Sequence, residues 1–170
     1  MTRSSGLLSW FRIALKALVV GNGVFALFLL TLLATSLGAP EFFGSLMGGT
    51  PGLPAPVLAA LRVLILVGLA SVPLSHLILT RLIAIVDTVR DGDPFVAENA
   101  ARLGGMAWAM LGLQLLGLVA IAAAVGGSGD GHRIDWHFSF TGWLAVLLLF
   151  VLARVFAQGA RMREDLEGTV

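Results

Sequence analysis

The chain has 170 residues, of which 58% are hydrophobic and 12% charged, and its mean hydropathy is +0.95. Soluble domains carry about 25% charged residues, and a core of this size cannot hide so much apolar surface; an ordinary water-soluble domain is excluded and lipid is the solvent expected. The net charge of +1 leaves no electrostatic footprint for direct nucleic-acid binding, and the lack of cysteine excludes disulfides, thiolate nucleophiles and cysteine-bound metal.

In chain order, Arg3, Arg12 and Lys16 precede the first stretch without Lys, Arg, Asp or Glu, residues 17–40; three more follow at 63–80, 103–129 and 136–153. Each reaches the roughly 18 residues that mark a membrane-crossing helix. Bordering arginines can lay their stems along a helix while the charge reaches the headgroups. The spans are therefore predicted at about 14–38, 60–82, 103–126 and 137–158, as one four-helix transmembrane domain. The first run is longer than the roughly 7–15 apolar residues of a secretory signal. "SLGAP" puts Leu37 two before Ala39 and Pro40 directly after it, a poor cleavage site. An uncleaved first span is expected.

Residues 41–62, "EFFGSLMGGTPGLPAPVLAALR", are rich in Gly and Pro and are expected to form an outer loop, with Phe42, Phe43, Leu46 and Met47 along the membrane surface. The second span continues past the lipid. Leu82, Ile85, Val86 and Val89 fall at helical spacing, opposite Arg81, Ala84, Asp87 and Thr88. "DGDP" then predicts a helix stop, a cap and a restart. Gly92 takes the left-handed position past the helix end. Asp93 caps the next helix, and Pro94 sits at its first position. Glu98 near that start favours the helix dipole. The result is a tight helical hairpin. Its turn does not require Arg90, Asp91, Glu98 or Asn99, which are left to form a surface.

In the third span, Gly105 and Ala109 lie four apart, a spacing that permits close helix packing. The outer segment "GDGHRIDWHF" gathers Asp130, His132, Asp135 and His137, but their spacing matches no zinc pattern, and a hydrophilic loop is expected. The tail "ARMREDLEGTV" extends the fourth span into water. Its Arg161–Asp165 and Arg163–Glu167 pairs run base before acid, the weaker order. A solvated end is expected there, with docking against the hairpin or a partner as the functional reading. A shift of 73 residues aligns Arg81 with Arg154 and Asp91 with Glu164, a faint echo best explained by selection for arginine at span ends.

With four spans, both termini share a side with the hairpin. Nine of the eleven basic residues fall there, leaving Arg62 and Arg133 opposite. This positive-inside bias places the termini and hairpin in the cytoplasm. Within the spans, Asn22, His76 and Gln114 are the polar candidates. Interhelical bonding and a kink at Pro73 are the expected roles, a polar pathway the alternative. Lys16 and Arg154 lie near enough to the inner boundary for their charges to reach headgroups.

"DGDPFVAENAARL", followed by an apolar span with an early tryptophan and then "WLAVLLLFVLARVFAQGARMREDLEGTV", resembles the bacterial membrane family catalogued as domain of unknown function 2975. The likeness covers most of the chain and is most specific over residues 91–103 and 143–170. It implies a four-span bacterial inner-membrane protein without assigned catalytic residues. Members are often encoded beside a small helix-turn-helix regulator of the Cro/C1 type, which implies such a partner.

No nucleophile elbow, HExxH or P-loop is present. "DGDPFVAENAAR" is superficially like the motif of membrane phospholipid-headgroup transferases, but the metal-holding aspartates those enzymes need downstream are missing. The expectation is therefore an all-α polytopic membrane protein with a cytoplasmic helical hairpin between its second and third spans. It would be non-enzymatic and without cofactor or metal, holding a cytoplasmic partner such as a helix-turn-helix regulator while in contact with membrane lipid. The docking candidates are Arg90, Asp91, Asp93, Glu98 and Asn99 in the hairpin, with Arg161, Arg163 and Glu164 in the tail. The alternative is a small transporter or channel subunit using Asn22, His76 and Gln114.

Overall fold

A computed structural model describes residues 2–48, 53–127 and 140–167. Among them are five helices and no strand: α1 (Thr2–Gly38), α2 (Pro40–Gly48), α3 (Ala55–Arg90), α4 (Ala97–Gly127) and α5 (Phe140–Glu167). Four contain segments long and apolar enough to cross a membrane: Ser9–Gly38, Ala55–Arg90, Ala97–Gly127 and Phe140–Arg163. At about 1.5 Å per residue, α1 and α3 exceed the ~30 Å hydrocarbon thickness. Their polar ends therefore lie beyond the acyl chains. The acidic and histidine cluster of the 128–139 segment lies outside the described residues.

The described residues pack as two compact units. One contains residues 22–73 and 113–138. Here the Gly- and Pro-rich segment expected as a loop carries a short helix. Pro40 opens α2, where its missing N–H costs nothing. The residue before a proline is pushed from helical geometry, which separates α2 from α1 at Ala39. Phe43 corrects the expected surface row: at 1% exposure it packs with Leu29 and Ile65, while Phe42, Leu46 and Met47 remain exposed. Arg62 closes the end of α1. Its Nε donates to Ser36 Oγ at 2.9 Å and its Nη2 to the Ser36 carbonyl at 2.6 Å. That carbonyl belongs to the last turn of α1, where acceptors lack intrahelical donors and a cation favours the dipole. Gly127 lies so close to Ala60 that an added Cβ would overlap the alanine methyl.

The other unit contains residues 1–21, 74–112 and 139–170. Arg12 of α1 meets Asp87 of α3, with Nε 3.0 Å from Oδ1 and Nη2 donating to Oδ2 at 3.3 Å. Arg81 lies across α4, its Nη1 within 3.4 Å of the carbonyls of Ala101 and Arg102. The guanidinium rests on Gly105, where a Cβ would overlap it. The small residue thus makes room for a side chain, while Ala109 is buried at the packing face. Arg154, aligned with Arg81 in the 73-residue echo, makes no such bond among the described residues. The two arginines are not equivalent.

Candidate interaction surface

The α3–α4 hairpin follows from three local choices. Gly92 adopts φ +87°, a left-handed conformation open to glycine at little cost. Its N–H donates to the Val89 carbonyl at 3.2 Å, and the Asp93 N–H to the Thr88 carbonyl at 3.1 Å. This is the paired 5→2 and 6→1 arrangement of a Schellman stop, as the glycine predicts.

The restart differs from the sequence expectation. α4 begins at Ala97, three residues after Pro94, so Pro94 is not its first helical residue and Asp93 is too far upstream to be its cap. The cause is Asn99. Its side chain is fully buried at 0% exposure; Nδ2 donates to Thr88 Oγ1 at 2.7 Å and to the Pro94 carbonyl at 2.9 Å. Oδ1 accepts from Arg102 Nη1 at 2.7 Å. Holding the Pro94 carbonyl to this amide accompanies the start of α4 at Ala97 and leaves residues 93–96 outside the helix. Asn99, expected as part of a surface, is instead the crosspiece that binds the two arms of the hairpin.

Asp93 turns its carboxylate to Arg163 of α5 in an ion pair. Both side chains are partly exposed, 47% for Arg163 and 39% for Asp93, so the pair sets geometry more than stability. Phe95 stacks against Phe156 at a 5.2 Å centroid separation, within the range of favourable aromatic pairs. The hairpin and the end of α5 are thereby clasped together. Arg90, Asp91, Glu98 and Arg161 remain exposed on this joined structure. Of Glu164 the structure describes the backbone alone, as part of the helix. A cleft of ≈ 210 Å³ between the hairpin and α5 is lined by Asp93, Phe95, Glu98 and Arg163.

The intramembrane candidates are dispersed. Asn22 donates through Nδ2 to the Val72 carbonyl at 3.0 Å, the interhelical bond expected for a polar residue within a span. Gln114 is half-buried in the same unit, and His76 is exposed on the other, on the α3 face shared by Pro73 and Thr80. No cluster of three or more metal-ligating residues occurs among the described residues. Sequence reasoning missed the Arg12–Asp87 pair and the Arg62 closure of α1. Their partners stand far apart in the chain, and no local pattern announces them.

The helices and their polar ends define a multi-pass α-helical membrane protein. The chain belongs to the family described as a protein of unknown function, DUF2975, whose model matches residues 46–170. That match takes in the hairpin and the whole of α3, α4 and α5, and excludes α1. Neither curated proteins nor solved structures give a match.

Proposed function

We propose that this protein is a non-enzymatic regulatory component of a bacterial cytoplasmic membrane. Its termini and its α3–α4 hairpin face the cytoplasm and hold a soluble protein there, a small helix-turn-helix regulator being the partner expected. The observation that carries this reading is the clasp of Asp93 to Arg163, with Phe95 on Phe156 beside it. It joins two segments distant in sequence into one surface carrying Arg90, Asp91, Glu98 and Arg161 exposed. Mixed charge on a held scaffold suits recognition of a folded partner, because complementary charges steer encounter and reject wrong partners. The positive-inside bias supports the orientation.

The test is photo-crosslinking from positions 90 and 98 in cells, followed by co-purification in detergent with a candidate helix-turn-helix regulator. A crosslinked regulator, released by charge reversal at Arg90, Asp91 and Arg161 together, is the expected result. Absence of any crosslink to a soluble protein overturns the reading. The transporter alternative draws less support: the Asn22 amide is engaged by Val72 and His76 sits on an exposed face.

A further inference from the structure

A groove of ≈ 630 Å³ runs between α4 and α5 and has no counterpart in the partner reading. Its walls are apolar along most of their length, formed by Gly104, Trp108, Phe150 and Val151, and it ends at Arg154 and Gln158. Trp108 is 66% exposed, yet its indole is held edge-on against Phe150 at 5.3 Å and 86°. The two rings together form one side of the groove. Its volume lies within the range of small-molecule sites.

Two facts identify the occupant. Both helices are of spanning length and hydropathy, so the apolar part of the groove opens to acyl chains. Arg154 is exposed and, like Arg90 and Arg161, has no ion-pair or hydrogen-bond partner among the described residues, but of these three arginines it alone lines the groove. It directly follows the uncharged 136–153 run, one turn inside the predicted end of the span at 158, near enough for its charge to reach the headgroups. A guanidinium there, presenting forked donors, matches a phosphodiester. Gln158, one turn on, adds an amide donor.

We propose that this groove binds an anionic phospholipid: an acyl chain lies along Trp108, Phe150 and Val151, and Arg154 and Gln158 hold the headgroup phosphate. Basic pockets between spanning helices recognise anionic lipid in this way. The inference stands apart from the partner reading and would survive its failure.

The test uses the full-length chain in phosphatidylcholine vesicles, with Trp10, Trp136 and Trp143 replaced by Phe so that Trp108 alone reports. A small fraction of brominated phosphatidylglycerol is compared with the same fraction of brominated phosphatidylcholine as quencher. Wild-type Arg154 should give an apparent affinity for the anionic lipid roughly fivefold higher, the ratio one basic residue near an anionic surface supplies. Arg154→Gln should bring that ratio to one, and Arg154→Lys should keep part of it. A Cβ at Gly104 meets nothing within 4 Å, so Gly104→Ala fits there, and the longer Gly104→Leu, with helical content checked by circular dichroism, should weaken quenching by both lipids by filling the groove. Equal quenching by both lipids in the parent protein overturns the proposal, as does a preference that survives Arg154→Gln or quenching undiminished in Gly104→Leu. Displacement of the lipid by millimolar inorganic phosphate would likewise overturn it, since the site would then recognise a free anion.

Discussion

The carboxylate of Asp93, one residue past the turn at Gly92, is paired with the guanidinium of Arg163 on α5, seventy residues further along the chain. Both partners are partly exposed, so solvent screens the attraction. A double-mutant cycle with Asp93→Ala and Arg163→Ala should give a coupling of about 0.2–1 kcal/mol, read from unfolding in mixed detergent micelles. Exchanging the charges, Asp93→Arg with Arg163→Asp, should restore most of the coupling. A coupling above this range would mean that the clasp is a principal support of the fold.

Asn99 should matter more. Removing its amide leaves the Thr88 hydroxyl and the Pro94 carbonyl without their buried partner, at roughly 1–3 kcal/mol. Asn99→Ala should therefore lower stability by more than either clasp variant, and amide exchange should rise selectively across residues 88–99. Thr88→Val should move the same measurement in the same direction by a smaller amount, because the Pro94 bond persists.

Arg62 makes two donations to Ser36 from different nitrogens, a geometry an ammonium cannot reproduce. Arg62→Lys should lose much of what Arg62→Ala loses, about 1.5–3 kcal/mol for hydrogen bonds from a charged group. Thermal unfolding monitored by helical circular dichroism compares the two.

At Gly127 the neighbour of an added Cβ is the Ala60 methyl, which has no rotamer to yield. Gly127→Ala should destabilise by about 1–3 kcal/mol through overpacking, and Ala60→Gly in the same chain should recover most of the loss. Gly105→Ala should be milder, since the obstructing group is the movable end of Arg81 and alanine regains up to about 1 kcal/mol of helix propensity.

Orientation is tested by single cysteines, which the natural chain lacks. Ser4→Cys, Asp91→Cys and Thr169→Cys should all label from one face of sealed membrane vesicles. Labelling of any one from the opposite face would defeat the topology on which the partner reading rests.

The uncharged runs announced the four long helices, because a membrane demands length and hydropathy that local sequence displays openly. Gly92 announced the hairpin turn for a comparable reason: the left-handed stop is a local backbone requirement. The start of α4 departs from the local pattern because Asp93 and Pro94 satisfy capping chemistry on their own, whereas the amide of Asn99 reaches Thr88 and Pro94 and the helix begins at Ala97. The burial of Phe43 is not legible locally, because nothing in "EFFGSLMGG" reveals that Leu29 and Ile65 pack against it. Most of the candidate surface was legible as polar residues in an apolar chain. Its joining through Asp93 and Arg163 depended on a distant helix returning to meet the turn.

The crosspiece inside the hairpin is made from an amide, a hydroxyl, a peptide carbonyl and a guanidinium. The amide of Asn99 spans from Thr88 on one arm to Pro94 and Arg102 on the other, and none of these bonds passes through α5. Loosening the Asp93–Arg163 clasp would therefore leave the two arms tied to each other, so that the hairpin could release α5 without changing its own shape.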